Sequence, residues 1–130
     1  MKRDLDLVRS MLIKAEDSDE RYFDIGVWDW TDHDMRDREL DTKLSQTELF
    51  HLDLMEQGGL IKKSVCEHSD FAMWEITWHG YDFLDASRSE KLWNRLKREA
   101  KAQGISLTVN GAISAVRVLS AELLSVGAAQ

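Results

Sequence analysis

The side chains of this sequence that could support catalysis or bind a metal ion are carboxylates, histidines and one thiol. Three aspartates and a histidine crowd residues 29–34, but the glycine turn and terminal glutamate of a calcium loop are missing. Cys66 lies two residues before a histidine, and such a pair supplies too few ligands for structural zinc. Glu75, His79 and Asp82 could exchange protons, yet no nucleophile or phosphate-binding loop accompanies them. We therefore predict no metal site, no cofactor and no enzyme activity.

Length and composition favour a small protein with one hydrophobic core. The chain has 130 residues, 43% of them apolar, so we predict a single domain over residues 1–130. No apolar run approaches the ~20 residues of a membrane span, and the N-terminus lacks the apolar stretch of a secretory signal. Cys66 has no second cysteine with which to form a disulfide, which is typical of a reducing compartment. These features predict a cytoplasmic protein with no membrane partner and no small-molecule substrate.

Charge is distributed unevenly along the chain. The formal net charge is −7, but residues 16–41 contain eleven acidic and three basic residues and so carry −8. Residues 88–101 contain six basic and two acidic residues, a local +4, around an apolar stripe that favours the solvated face of a packed helix. If the acidic segment binds a basic partner, the predicted contacts are Asp29, Asp32, Asp34 and Asp37.

Apolar spacing predicts the elements of the first half of the chain. Apolar residues recur every three or four positions over residues 2–17, which predicts an amphipathic helix. Aromatic and β-branched residues over 23–30 predict a short strand. The elements predicted next are a short helix that ends at Leu40 and a longer helix over residues 43–57, capped by Thr42 or Ser45 and ended by Gly58-Gly59.

The second half of the chain predicts a hairpin followed by helices. Apolar residues over 60–66 and 72–78 surround a polar tip, which predicts an antiparallel β-hairpin. A helix around Phe83 and Leu84 is expected to follow the hairpin. The last two predicted helices run from Ser87 or Ser89 to Gly104 and from about residue 108 to residue 126.

This order of elements is that of a winged helix-turn-helix domain. Residues 34–57 would form the helix pair and residues 60–78 the wing. The predicted fold class is therefore α+β and mostly helical. We expect the winged-helix core to occupy residues 1–87 and a helical extension to occupy residues 88–130.

Three stretches of the sequence share a recognisable pattern. They are residues 1–9, the junction Gly58-Gly59-Leu60-Ile61, and residues 76–86 with Trp93 shortly after. They resemble M-K-R-D-x-D-L-x-R, A-G-L-I and L-T-W-x-G-H-[DE]-F-L-D-A of a bacterial and phage family with a domain of unknown function. The chain departs from that pattern at the glycine pair, at Ile76 and at Tyr81. The resemblance implies a winged-helix-like fold and an occurrence in phages and mobile elements, without an activity or a ligand.

A winged helix places the second helix of its motif in the DNA major groove, which predicts a set of contact residues. Gln can pair with adenine and Lys with guanine, while lysines at the base of the wing would contact phosphates. The same helix also carries carboxylates, and this lowers the positive potential that DNA binding needs. The predicted nucleic-acid contacts are Lys43, Ser45, Gln46, His51, Lys62 and Lys63, with Lys2 and Arg3 as further phosphate contacts.

The last predicted helix is apolar on most of its surface. Such a helix must be covered by its own domain or by a second copy of the chain. We predict a homodimer formed through this helix. The predicted interface residues are Val109, Ile113, Val116, Leu119 and Leu123.

Two functions of different classes follow from the sequence. The first is a DNA-binding regulator of phage or mobile-element genes. The second is an acidic protein-interaction module, such as a phage-encoded inhibitor of a host or defence protein that imitates nucleic acid. The predicted partner is accordingly DNA or a host protein.

Overall fold

The computed structural model describes residues 1–28, 44–65 and 72–128. Within these ranges the fold is α+β and mostly helical, as predicted, and it is compatible with a winged-helix-like layout. The short helix predicted to end at Leu40 and the tip of the hairpin lie outside the described residues. The elements are α1 Leu5–Asp17, a 3-10 helix Ile25–Val27, α2 Gln46–Gln57, β1 Ile61–Val65, β2 Ala72–Ile76, α3 Trp78–Ser87, α4 Glu90–Ala102 and α5 Val109–Ala128.

The chain forms two compact units, Met1–Gly80 and Tyr81–Gln130. Helix α3 begins in the first unit and continues in the second. Among the described residues, no helix combines the length and the apolar character needed to cross a membrane.

Helix α1 confirms the helix predicted for the start of the chain. Asp4 caps it, because the Asp4 carboxylate accepts hydrogen bonds from the backbone N–H groups of Asp6 and Leu7 at 2.9 and 3.4 Å. The apolar positions of its sequence pattern form one face of the core of the first unit. The buried residues on this face are Leu5, Val8, Met11, Leu12 and Ala15.

The strand predicted over residues 23–30 is wrong over its described part, residues 23–28. Phe23 forms a single antiparallel bridge with Trp74, in which each backbone N–H donates to the other carbonyl at 2.9 and 2.8 Å. The chain then turns, because the side chain of Asp24 accepts the Gly26 N–H at 2.8 Å and caps the 3-10 helix. A short polar side chain that bonds to the nearby backbone competes with extension of a strand.

Helix α2 begins at Gln46 and is capped by Ser45, one of the two predicted caps, so it starts three residues after the beginning of the predicted range 43–57. The Ser45 hydroxyl accepts the Glu48 N–H while the Glu48 carboxylate accepts the Ser45 N–H, which forms a capping box. The helix ends at the predicted glycine pair. Gly59 has φ +73°, a left-handed conformation that favours glycine, and the following Leu60 N–H donates to the Met55 carbonyl at 2.9 Å.

Strands β1 and β2 confirm the predicted hairpin, with Ile61 opposite Ile76 and Val65 opposite Ala72. The carbonyl of Leu60, just before β1, accepts both the backbone N–H and the hydroxyl of Thr77 at 3.0 Å. The Thr77 hydroxyl also contacts the Gly59 carbonyl and accepts the Gly80 N–H in the first turn of α3. Because a Cβ atom at Gly80 would overlap the Leu60 carbonyl, only glycine fits this close approach without a shift.

The second unit packs around aromatic residues of α3 and α4. Ser89 caps α4, as one of the two predicted alternatives, by accepting the Leu92 N–H at 3.2 Å. Phe83 of α3 meets the ring of Trp93 of α4 edge to face, with ring centroids 5.8 Å apart. Both aromatic residues are buried.

Helix α5 packs against α4 within the second unit, and this corrects the predicted dimer interface. Ile113, Val116 and Leu119 are buried within the single chain rather than exposed to a second copy. Val109 is half-buried, and the side chain of Leu123 lies outside what the structure describes. The sequence left cover by the same chain and cover by a twin as alternatives, and cover by the same chain accounts for these three residues. The homodimer itself stays a prediction without support from this face.

Gly80→Ala tests the close approach of α3 to Leu60. Alanine normally stabilises a helix relative to glycine, but here its methyl group would also lie 2.8 Å from Ile76 Cγ2, so we expect the free energy of unfolding to fall by about 1–3 kcal/mol. Urea denaturation followed by circular dichroism measures the change. Gly111→Ala is the matched control, since its methyl group would meet only the Thr108 side chain. A stabilised Gly80→Ala variant would contradict the observed packing.

Leu119→Ala and Val118→Ala, at adjacent positions of α5, test which face of this helix is covered. Leu119 is 8% exposed and Val118 is 59% exposed. We expect Leu119→Ala to lower the free energy of unfolding by about 2–4 kcal/mol and Val118→Ala to change it by less than about 0.5 kcal/mol. Light scattering on both variants reports the oligomeric state. Equal destabilisation by the two substitutions would mean that a second copy covers the outer face.

Candidate functional site

Helix α2 is the helix that a winged-helix layout would direct towards DNA, and its exposed face holds part of the predicted contact set. Gln46 is exposed at its start, and Ser45 is exposed but its hydroxyl is used in the capping box. Lys43 lies outside the described residues. Among the described residues of this set, Gln46 is therefore the one on α2 whose side chain is available to a partner.

The prediction that His51 faces base edges is wrong, because its imidazole is 0% exposed. Its Nε2 accepts the Asp4 backbone N–H at 2.8 Å, so Nδ1 carries the proton and donates to the Thr47 carbonyl at 2.7 Å. A neutral imidazole thus ties the start of α1 to α2. The sequence held the signal: His51 lies seven residues after Leu44 and four before Met55, on the stripe that both buried residues define.

The charge of α2 is negative along its length. Glu48, Asp53 and Glu56 lie within Gln46–Gln57, which contains no lysine or arginine. Glu48 takes part in the capping box, and a Glu56 carboxylate oxygen accepts the indole N–H of Trp74 at 3.4 Å. Two of the three carboxylates therefore contribute to the fold, and all three repel phosphate.

Lys62 and Lys63 are exposed on β1, as the predicted phosphate contacts require. Successive side chains of a strand point to opposite faces, so the two ammonium groups are directed apart. Glu75 pairs with Lys62 across the hairpin and forms an ion pair with Arg21 at 3.3 Å. The hairpin therefore offers two separated cations, one of them opposite a carboxylate, rather than a continuous basic strip.

A groove of about 650 Å³ lies beside the C-terminal end of α1 in the first unit. Trp28 and Phe23 meet edge to face with ring centroids 5.4 Å apart, and the Trp28 indole N–H donates to the Met11 carbonyl at 2.9 Å. These contacts fix the aromatic wall of the groove. Acidic side chains of the 16–41 segment also line it, namely Asp17, Glu20 and Asp24.

Sequence reasoning placed the acidic interaction surface at Asp29, Asp32, Asp34 and Asp37, all of which lie outside the described residues. Sequence reasoning did not identify the groove, whose lining residues include those just before Asp29 in the chain. The available signal was the alternation of acidic and aromatic residues between Asp17 and Trp28. This signal is not sufficient to locate the groove, because the walls of the groove come from α1, the 18–28 segment and β2, which are separated in sequence.

Trp78, in the first turn of α3, is 85% exposed. It follows Thr77, whose hydrogen bonds to Leu60 place this turn of α3 at the C-terminal end of α2. Large exposed aromatic residues are enriched among the residues that dominate protein interfaces.

The described residues contain no group of three or more histidine, cysteine, aspartate or glutamate side chains placed to hold a metal ion. Two of the residues considered for acid–base chemistry can be described further. Glu75, on β2, forms an ion pair with Arg21, and His79, in α3, is half-buried.

His51→Phe tests the buried imidazole. The substitution retains an aromatic ring but removes both hydrogen bonds, so we expect the free energy of unfolding to fall by about 1–3 kcal/mol because the Asp4 N–H loses its acceptor. Thermal or urea denaturation measures the loss. The same substitution at the half-buried His79 is the control and should cost less than about 0.5 kcal/mol. A His51→Phe variant as stable as the wild type would show that ring packing alone joins α1 to α2.

Comparison with known proteins identifies a bacterial relative and a family. An uncharacterized protein of Haemophilus influenzae is 29% identical over 129 residues, which cover 96% of this chain and 100% of that protein. No solved structure gives a significant match to the chain. Residues 2–106 match the family described as "Hypothetical protein (DUF2513)", a span that runs from before α1 to beyond the end of α4. The chain therefore belongs to the DUF2513 family.

Proposed function

We propose that this protein is a non-enzymatic, winged-helix-type module that binds another protein rather than duplex DNA. The observation that carries the proposal is the composition of α2, the helix that such a domain would insert into the major groove. It has three carboxylates and no cation, and its one histidine is buried. Affinity for duplex DNA comes mainly from neutralised phosphates, so this helix opposes the binding that its position would otherwise favour.

The charge of the neighbouring segment indicates the type of protein partner. Residues 16–41 carry a net −8, which attracts a basic surface and repels nucleic acid. A host or defence protein that itself binds nucleic acid has such a basic surface. The acidic segment would compete with nucleic acid for that surface. Asp29, Asp32, Asp34 and Asp37 are the contacts that the sequence assigns to this role. The exposed Trp78 provides a large apolar contact area of the kind found at the centre of protein interfaces.

Direct DNA binding is the second candidate, and a specific observation favours it. Lys62 and Lys63 are exposed on β1, and Lys2 and Arg3 are exposed just before α1. Cations at these places could contact phosphates without the help of α2. This would be a regulator that binds DNA through its wing, with weak sequence discrimination.

Affinity purification and a DNA shift assay on the full chain distinguish the two functions. We expect a protein partner to co-purify from the native host and to be lost when Asp32, Asp34 and Asp37 are changed to lysine. The control variant Lys62→Ala/Lys63→Ala should retain the partner, and no duplex shift should occur even at low salt. A shift that weakens steeply with salt and disappears in Lys62→Ala/Lys63→Ala would overturn the proposal in favour of DNA.

A further inference from the structure

We propose that the groove beside α1 is a docking site for an arginine side chain in a basic segment of the partner protein. This inference rests on the proposed function and adds to it the place of contact and the chemistry recognised. The volume of about 650 Å³ lies in the range of ligand pockets, so the groove can hold a side chain together with its flanking backbone.

The wall of the groove is preorganised for a flat cation. Tyr22, Phe23 and Trp28 all line it, and aromatic faces attract guanidinium groups. Trp28 is held by its edge-to-face contact with Phe23 and by its hydrogen bond to the Met11 carbonyl, so the ring needs little ordering on binding. Met73, which lies on β2, also lines the groove and adds a polarisable apolar side chain.

The charge of the groove selects a cation. Asp17, Glu20 and Asp24 line it together with a single cation, Lys14, so its lining has a net charge of −2. Asp17 and Glu20 are exposed, so their carboxylates can accept hydrogen bonds from a guanidinium fork. The same carboxylates repel a nucleic-acid phosphate, which argues against a base stacked on Trp28.

The nearby Arg21 is not among the residues that line the groove, and its charge is paired with Glu75. Its guanidinium lies over the Tyr22 ring, 5.0 Å from the centroid, while its Nε is paired with Glu75 at 3.3 Å. Arg21 is therefore directed towards Glu75 of β2. Its stacking also shows that Tyr22 accepts a guanidinium on one face.

Arginine fits the groove better than lysine for geometric reasons. A guanidinium can stack on an aromatic wall and donate two parallel hydrogen bonds to a carboxylate at the same time. A lysine ammonium is a strongly hydrated point charge and makes only one of these contacts well. The groove should therefore discriminate between two peptides of equal charge.

Fluorescence anisotropy with fluorescein-labelled hexa-arginine tests the inference on the full chain. We expect Asp17→Asn/Glu20→Gln to weaken binding by about fivefold or more. The matched control is Asp53→Asn/Glu122→Gln, which removes the same charge from exposed positions of α2 and α5 and should change binding by less than about twofold. Hexa-lysine should bind the wild type about threefold or more weakly than hexa-arginine. Equal weakening by the two double variants, or equal affinity for the two peptides, would overturn the inference.

The fate of the natural partner separates this inference from the proposed function. Asp17→Asn/Glu20→Gln should lose the partner that the wild-type chain captures, while Asp53→Asn/Glu122→Gln should keep it. Capture that is unchanged in Asp17→Asn/Glu20→Gln would reject the groove and leave the proposed function intact. If the wild type binds duplex DNA through Lys62 and Lys63 and captures no partner, the proposed function fails even where hexa-arginine binds in the groove.

Discussion

The backbone of Leu60 is the point at which four elements of the first unit are joined. Its N–H donates to the Met55 carbonyl at the end of α2, and its carbonyl accepts the N–H and the hydroxyl of Thr77. Gly80 then passes so close to this carbonyl that no side chain fits. The backbone N–H and C=O of this one residue thereby join the end of α2, the start of β1, the end of β2 and the start of α3. The turn that brings Leu60 to this position requires the left-handed conformation of Gly59, which glycine adopts without steric cost.

This arrangement gives a physical meaning to the sequence pattern that the chain resembles. Two of the three stretches, residues 58–61 and 76–86, meet at the Leu60 carbonyl. The first stretch supplies Asp4, whose side chain caps α1 and whose backbone N–H binds the buried His51. In this chain the three stretches therefore contribute to the joining of elements of the fold. A fold does not determine a function, so the function must be argued from surfaces.

The parts of the fold that could be predicted from the sequence are those set by neighbouring residues. Ser45, Ser89 and the glycine pair at residues 58–59 act on backbone groups within a few positions, so their effects were visible in the sequence. The bridge between Phe23 and Trp74 depends on residues far apart in the chain, and the strong β propensity of residues 23–30 predicted the wrong element for the described residues 23–28. The predictions for His51 and Leu119 were wrong for a related reason. Polar character suggested exposure for the first and abundant apolar surface suggested a second copy for the other, but tertiary packing buries both.

The site divides in the same way, because charge is visible in sequence and shape is not. The net −8 of residues 16–41 gives long-range attraction, which sets how fast a basic partner approaches but discriminates poorly among basic surfaces. Discrimination requires fixed geometry, and the described residues supply it where Trp28 is held by Phe23 and by the Met11 carbonyl. Asp17 and Glu20 line the same groove as these aromatic rings, so attraction and fit act on one cationic group. Specificity for arginine then follows from the rigidity of the wall, since charge alone would accept any cation.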